Sequence, residues 1–159
     1  MPQENFYQEY LKKEDPVKLA QEILPNLDSK IAVELVKLVL DRITFPSEIK
    51  SFAENFFTAP HEYDQSIIDS KWNEDSKKAF SILDQLFEIP FEIWDENSIH
   101  DNIFHKLDEN GIKMGKVMQL LRVAMTGTKA GPDLMISLKL WGQSEVSARL
   151  KKAIHFFSK

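Results

Sequence analysis

The chain has 159 residues and a mass of 18.4 kDa, which is enough for one compact domain or two small ones and excludes a large multidomain enzyme. Its composition, with 43% hydrophobic and 28% charged residues and a mean hydropathy of −0.32, is typical of a globular protein and excludes a disordered class. Cysteine is absent, so disulfides, thiolate nucleophiles and cysteine zinc sites are excluded. We expect a cytoplasmic protein without a signal peptide or membrane span.

The formal net charge of −5 is distributed unevenly along the chain. Residues 111–159 carry nine Lys and Arg against two Asp and Glu, whereas residues 1–110 carry 11 against 23. A basic C-terminal segment of this kind predicts an electrostatic binding surface for an anionic partner, and a solvated basic surface without a partner is the alternative.

Apolar residues recur every three or four positions and glycines number only five, which predicts an all-α fold. The first helices are predicted at about 16–24, 29–43 and 47–58. Asp15 followed by Pro16 is typical of a helix start. The third helix carries an apolar stripe that we expect in the core: Ile49, Phe52, Ala53, Phe56 and Phe57.

The helical pattern lapses between Thr58 and Trp72, which predicts a connection between two helical subdomains at 1–60 and 61–159. Ser98 and Ser144 are expected as helix caps in the second subdomain, and Gly127 is expected to end a helix there. The helices of this subdomain are predicted at about 75–87, 98–110, 117–126, 132–141 and 144–157.

Metal and nucleotide sites find no support in the sequence. The histidines His61, His100, His105 and His155 lack ligand spacing, so we expect no metal. No phosphate-binding glycine loop is present. The string Lys113-Met-Gly-Lys116 has the form of an ATP-gripping lysine loop, but without a nucleotide-binding sheet we interpret it as the entry to a helix.

One helix–turn–helix corner can recognise a ligand. A helix ends at Thr126-Gly127, a polar turn with Lys129 follows, and a new helix begins at Gly131-Pro132. The N–H groups at the start of a helix attract anions and polar base edges because they have no partner within the helix. Arg122 lies one position off the buried stripe, so its guanidinium can reach the same corner. Simple packing is the competing interpretation of such a corner.

Several segments together resemble the C-terminal anticodon-binding region of bacterial and organellar glutamyl-tRNA synthetases, which are class I aminoacyl-tRNA synthetases. The strongest likeness lies in residues 111–154, with Leu121-Arg-Val-Ala-Met-Thr-Gly127, Gly131-Pro-Asp-Leu134 and Leu140-Trp-Gly142. Supporting likeness lies in Phe6-Tyr-Gln-Glu-Tyr-Leu11 and Arg42-Ile-Thr-Phe-Pro-Ser-Glu-Ile49.

The resemblance implies an all-α cage of two helical subdomains that binds the anticodon of a glutamate-accepting tRNA. The chain is then a part of an ATP-dependent glutamate–tRNA ligase, with no catalytic residue and no cofactor of its own, since ATP belongs to the parent enzyme. By position, Arg122, Gly131, Pro132 and Leu134 fall on contacts to the middle and first anticodon bases. Arg42 falls on the arginine that reads the third base. Some relatives have threonine where Gly131 stands, so a contact there comes from the backbone.

Single-stranded RNA is read by splaying its bases, hydrogen-bonding their edges and neutralising its phosphates. The expected phosphate contacts are Lys113, Lys116, Lys129, Lys151 and Lys152. The three tryptophans could stack on bases, although Trp141 lies on the apolar stripe of its helix and is expected in the core. The alternatives to RNA binding are a helical protein-interaction module that docks a partner helix on its Phe-rich face, and a standalone helical enzyme.

Overall fold

The computed structural model describes residues 15–45 and 47–159. That part of the chain contains nine α-helices, one 3₁₀ helix and no β-strand, which confirms the all-α prediction. The segment Phe6–Leu11 lies outside the described residues. The helices are α1 (Pro16–Ile23), α2 (Ser29–Val39), α3 (Ser47–Phe56), α4 (Gln65–Lys71), α5 (Glu74–Glu88), α6 (Glu96–Glu109), the 3₁₀ helix Met114–Lys116, α7 (Met118–Thr126), α8 (Leu134–Trp141) and α9 (Gln143–Phe157).

The chain divides into two compact units, of which the first ends at Thr58 and the second is Ala59–Lys159. In the first unit, α1, α2 and α3 pack against one another. The Asp15 carboxylate accepts a hydrogen bond of 2.9 Å from the N–H of Val17, as expected of a helix cap. The core of this unit includes Leu35, Val36 and Ile49.

Two details of the first unit differ from the sequence prediction. Helix α2 ends at Val39, and residues 40–42 form a turn in which the N–H of Arg42 donates to the carbonyl of Val39 at 2.9 Å. Phe57 is 38% exposed, because α3 ends at Phe56 and the next residue no longer follows the apolar stripe. Ile49, Ala53 and Phe56 are buried as expected.

In the second unit, a continuous apolar core is formed by α4 to α9. Helix α9 packs on α5, α7 and α8, while α6 packs on α5 and α8. An aromatic group lies at one end of this core, with Trp72 in edge-to-face contact with both Phe80 and Phe157 at ring centroid distances of 5.3 Å. This packing fixes α7, α8 and α9, the helices that carry the candidate corner.

Residues 58–72 contain a helix that the sequence analysis missed. Helix α4 is only seven residues long, and its buried residues Ile67 and Ile68 are adjacent rather than three or four apart. Its start is capped by Asp64, whose side chain accepts from the N–H groups of Ser66 and Ile67. The hydrogen bond from the Ser66 hydroxyl is the main cause that lowers the pKa of the Asp64 carboxyl.

The prediction that Ser98 and Ser144 cap helices is wrong. Asp95 caps α6, and its carboxylate accepts from the N–H of Ser98 at 2.8 Å, so Ser98 lies inside the first turn. Helix α9 begins at Gln143, and the preceding Gly142 has a φ of 86°. Since both errors displace a helix start by no more than one turn, they do not move the apolar faces.

Candidate functional site

The turn at residues 127–133 joins α7 to α8 and begins at a glycine that no other residue can replace without movement. Gly127 ends α7 in the left-handed conformation with a φ of 84°, as predicted. A Cβ atom placed on Gly127 would lie 2.4 Å from the carbonyl oxygen of Glu62. The carbonyl of Gly127 also accepts a 2.9 Å hydrogen bond from the N–H of Asp64. The start of the 127–133 turn is therefore fixed against residues 60–64.

Two threonine hydroxyls shape the middle of the turn. The Thr126 hydroxyl donates to the carbonyl of Arg122 at 2.8 Å and lies 3.2 Å from the N–H of Thr128, which donates to it. The Thr128 hydroxyl donates to the carbonyl of Ala130 at 2.8 Å. These bonds satisfy backbone groups that the end of a helix otherwise leaves to water. The sequence analysis did not identify either threonine as a structural residue of the turn.

Arg122 closes the turn. Its Nη1 donates a 2.7 Å hydrogen bond to the carbonyl oxygen of Pro132, ten residues further along the chain. A Cβ atom on Gly131 would lie 3.4 Å from the same Nη1, an ordinary van der Waals contact, so the guanidinium lies directly beside Gly131. The expectation that Arg122 reaches the Gly131-Pro132 corner is confirmed.

Leu134 begins α8 and is buried, whereas Pro132 and Asp133 before it are more exposed. The whole Leu134 residue is 6% exposed and belongs to the core of the second unit, so it offers little surface to a ligand. The Asp133 carboxylate caps the helix by accepting from the N–H of Ile136 at 3.0 Å. Gly131 and Pro132 are half-buried, between the exposed residues 128–130 and the exposed Asp133.

All five expected phosphate contacts are exposed on the second unit, and they differ in their partners. Lys113 and Lys116 are exposed around the 3₁₀ helix that precedes α7, and Lys129 is exposed on the turn itself. Lys152 is exposed on α9 and its Nζ donates to the carbonyl of Pro60 at 2.7 Å. Because Pro60 also lies beside Gly127, Lys152 is near the start of the 127–133 turn.

Lys151 is engaged elsewhere. Its Nζ forms ion pairs with Asp84, at 2.7 Å, and with Glu88, at 2.5 Å, and both carboxylates lie on α5. The hydrogen bonds that Lys151 donates to these two carboxylates raise its pKa. A phosphate group at Lys151 must compete with two carboxylates, which makes this lysine the weakest of the expected phosphate contacts.

Arg42 lies in the first unit and is not part of the corner just described. It is exposed in the turn after α2. Nearby, the Glu48 carboxylate accepts hydrogen bonds from the N–H groups of Thr44, at 2.6 Å, and Phe45, at 3.3 Å, which holds the start of α3 in place.

The tryptophans are packing residues. All three are half-buried against the core of the second unit, as expected for Trp141. The indole of Trp94 donates from Nε1 to the carbonyl of Leu138 at 3.1 Å. Trp141 is covered on one face by the guanidinium of Arg149, whose Cζ lies 4.1 Å from the centroid of the ring.

Sequence reasoning missed the role of two long polar side chains. Arg149 was counted with the basic surface but is 2% exposed. Gln143 holds the loop at residues 89–95: its amide donates to the carbonyls of Phe87, at 2.9 Å, and Ile89, at 2.7 Å, and its oxygen accepts from the N–H of Phe91 at 3.0 Å. The Glu145–Arg149 spacing of four is a local signal for an ion pair on one helix face, but the carbonyls that Arg149 and Gln143 bond to lie 24 to 56 positions away along the chain.

Within residues 15–45 and 47–159, no group of three or more His, Asp or Glu side chains could hold a metal ion. In the same part of the chain, none of the helices combines the length and the apolar character needed to cross a bilayer.

The family model described as "Anticodon binding domain" matches residues 11–154, so the chain belongs to this class of helical anticodon-binding domains. Two relatives are glutamate–tRNA ligases. The glutamate–tRNA ligase of Amoebophilus asiaticus is 32% identical over 158 residues, covering 94% of this chain and 30% of that protein. The glutamate–tRNA ligase of Flavobacterium psychrophilum is also 32% identical, over 96% of this chain and 32% of that protein.

Solved structures agree with the fold. A glutamate tRNA ligase from Elizabethkingia meningosepticum, crystallised in complex with its amino acid, superimposes with a TM-score of 0.85 at 24% identity and covers 96% of this chain and 31% of its own. The chain thus spans about a third of the length of the curated relatives it matches.

Proposed function

We propose that this chain binds the anticodon loop of a glutamate-accepting tRNA and serves as the anticodon-binding part of an ATP-dependent glutamate–tRNA ligase. The observation that carries this proposal is the hydrogen bond from Arg122 to the carbonyl of Pro132, which shapes a turn bordered by exposed lysines. The names of the relatives and the family supply the substrate class.

The turn offers a physical means of reading single-stranded bases. The backbone of Gly131 can hydrogen-bond to the edges of splayed bases, with Pro132 and the planar guanidinium of Arg122 beside it. Because Leu134 is buried, its proposed contact to a base comes from the backbone at the start of α8. Gly131 leaves room for a base close to Arg122, since it carries no side chain.

Exposed lysines on both sides of the turn would neutralise the phosphates of the loop. Lys113, Lys116, Lys129 and Lys152 are the proposed contacts, with a smaller contribution from Lys151. Arg42 is proposed to read the third base from the first unit. The two units would then act as the two subdomains of one anticodon-binding region, with 1–60 and 61–159 as their approximate extents.

The remaining steps of the reaction are assigned to the part of such a ligase that this chain does not span. Binding of ATP and glutamate, and transfer of glutamate to tRNA, belong there under this proposal. The chain itself contributes no catalytic group and holds no cofactor, and its working compartment is the cytoplasm.

A protein-interaction module is the competing proposal, and the structure offers it less support. The expected docking face on α3 is largely occupied within its own unit, since Ile49, Ala53 and Phe56 are buried there. RNA binding that is unaffected by Arg122→Ala would favour this alternative.

The test compares two RNAs that differ only in the order of the bases in the anticodon loop. The dissociation constant of the 159-residue chain is measured for a glutamate-accepting tRNA and for the same tRNA with a scrambled anticodon loop, over a range of salt concentrations. We expect tighter binding to the first RNA. For both RNAs, the logarithm of the association constant K should decrease linearly with the logarithm of the salt concentration. Equal affinity for the two RNAs would contradict the proposed base recognition.

A further inference from the structure

Arg149 is the most deeply buried charge in the described part of the chain, and its contacts join three helices. It lies on α9, where its Nε donates to the Glu145 carboxylate at 2.9 Å. Its Nη1 donates to the carbonyl of Met125, in the last turn of α7, at 2.9 Å. Its guanidinium also covers the ring of Trp141, the last residue of α8, at 4.1 Å. One planar group thus contacts the C-terminal ends of both α7 and α8.

These contacts suit the ends of helices. The last carbonyls of an α-helix have no partner within the helix and carry partial negative charge, so a cation is favoured there. A guanidinium can donate in its plane to Met125 and Glu145 while its face lies on Trp141. An ammonium group lacks this planar fork, so a lysine cannot make the same contacts together.

The two helix ends that Arg149 joins determine the geometry of the 127–133 turn. Met125 is three residues from Arg122, and Trp141 ends the helix that begins just after Pro132. Helix α8 has eight residues, hence a length of about 12 Å, so a tilt of about 10° around its C-terminal end moves its start by about 2 Å. A shift of that size breaks the 2.7 Å hydrogen bond between Arg122 and Pro132.

We infer that Arg149 is a positioning residue for base recognition: by joining the ends of α7 and α8 it holds Arg122 and the Gly131-Pro132 turn at the spacing that reads the anticodon. This inference rests on the proposed function. Arg149 itself is buried and does not touch RNA, so its effect is on selectivity between RNAs rather than on the electrostatic attraction of phosphates.

The experiment replaces Arg149 and measures selectivity well below the unfolding temperature of every variant. Selectivity is the ratio of the dissociation constants for the scrambled and the matched tRNA. Arg149→Met keeps an unbranched side chain and removes the planar fork, and Arg149→Lys keeps the charge. We expect Arg149→Met to lower the ratio about tenfold, and Arg149→Lys to restore only a small part of it. The salt dependence is expected to stay the same.

A matched control separates positioning from loss of stability. Phe80 is fully buried on α5 and packs on Trp72 and Phe157, and it takes no part in the contacts of Arg149 with Met125, Glu145 and Trp141. Phe80→Leu therefore lowers the unfolding temperature without loosening the turn, and its selectivity is expected to equal that of the unchanged chain. Equal losses of selectivity in Phe80→Leu and Arg149→Met would overturn the inference, as would full selectivity in Arg149→Met.

The backbone amides of Gly127 and Gly131 provide a second readout that needs no RNA. In nuclear magnetic resonance spectra of the free chain, we expect both amide signals to move in Arg149→Met and to stay in Phe80→Leu. Unchanged signals in Arg149→Met would overturn the inference. If the unchanged chain shows no selectivity between the two tRNAs, the proposed function fails, and the amide signals alone then decide whether Arg149 positions the turn.

Discussion

Two connections in the second unit use the same structural device and display opposite surfaces. In the 127–133 turn, the side chain of Arg122 from the preceding helix bonds to the backbone at Pro132. In the 89–95 loop, the side chain of Gln143 from a later helix bonds to the backbone at Phe87, Ile89 and Phe91. A long polar side chain fixes the path of each connection, so both present their surfaces in a defined shape.

The surfaces differ in charge and polarity. The 127–133 turn displays backbone groups, a guanidinium and Lys129, whereas the 89–95 loop displays Ile89 and Ile93, which are 65% and 60% exposed. The loop also lies in an acidic stretch, since residues 84–109 contain eight Asp and Glu and one Lys. Like charge repels RNA phosphates from the loop, and opposite charge attracts them to the turn. Under the proposed function, a fixed path is therefore not sufficient for a connection to bind RNA, and its charge must also be favourable.

The largest expected effect comes from breaking the start of the 127–133 turn. Gly127→Ala forces a left-handed conformation on alanine and places its Cβ against the Glu62 carbonyl, so we expect a loss of about 3 kcal/mol in the free energy of unfolding. Urea denaturation measures it. Gly115→Ala is the control, because a Cβ there meets no atom within 4 Å, and a change of more than about 0.5 kcal/mol in this control would be unexpected.

Breaking the second connection is expected to cost less and to leave RNA binding intact. Gln143→Ala removes all three hydrogen bonds to residues 87–91 and should lower the free energy of unfolding by about 2 kcal/mol. Thermal unfolding and tRNA affinity are measured together. Gln85→Ala, an exposed glutamine on α5, controls for the loss of an amide. If Gln143→Ala weakened tRNA binding as much as Arg122→Ala does, the contrast between turn and loop would be lost.

Removing the Arg122 side chain, which bonds to Pro132, is expected to lower the selectivity for the matched anticodon. Arg122→Ala takes away the bond to Pro132 and a planar donor beside the bases, so we expect a loss of about 1.5 kcal/mol in the preference for the matched anticodon. Competition binding with matched and scrambled tRNA measures this preference. Lys106→Ala, which removes an exposed cation from α6, serves as the charge control. A preference that persists in Arg122→Ala contradicts direct or indirect base reading by this arginine.

The smallest effect distinguishes two lysines. Lys129→Ala removes an exposed cation on the turn and should reduce the slope of log K against log salt by about 0.7, the value for one phosphate contact on single-stranded RNA. Lys151→Ala should change the slope by less than half of that, because Asp84 and Glu88 already neutralise this lysine. Equal changes in the two variants would show that the ion pairs of Lys151 open on RNA binding.

The sequence predicted features whose causes are local. The end of α7 at Gly127 follows from the ability of glycine to adopt a left-handed conformation, and the start of α1 at Asp15 follows from its carboxylate. Helix α4 was not predicted, because a seven-residue helix with adjacent buried isoleucines shows no periodic spacing of apolar residues. The position of Arg122 near the turn could be predicted, because the helix and the turn are close in sequence.

Features made by distant partners could not be predicted from the pattern. Arg149 and Lys151 look like surface cations in the sequence, yet one is buried between three helices and the other is paired with two carboxylates on α5. Gln143 has no neighbour in sequence that indicates its bonds to residues 87–91. These contacts depend on how α5, α7, α8 and α9 pack together, and only the structure gives that packing.

The most direct test of the central claim is a map of where RNA contacts the chain. Backbone amide signals are followed by nuclear magnetic resonance while an anticodon stem-loop of a glutamate-accepting tRNA is added to the 159-residue protein. We expect the largest signal changes in the second unit at residues 126–133, including Gly127 and Gly131. The signals of residues 89–95 should stay unchanged. Changes centred on the 89–95 loop, with the 127–133 turn unaffected, would contradict the central claim.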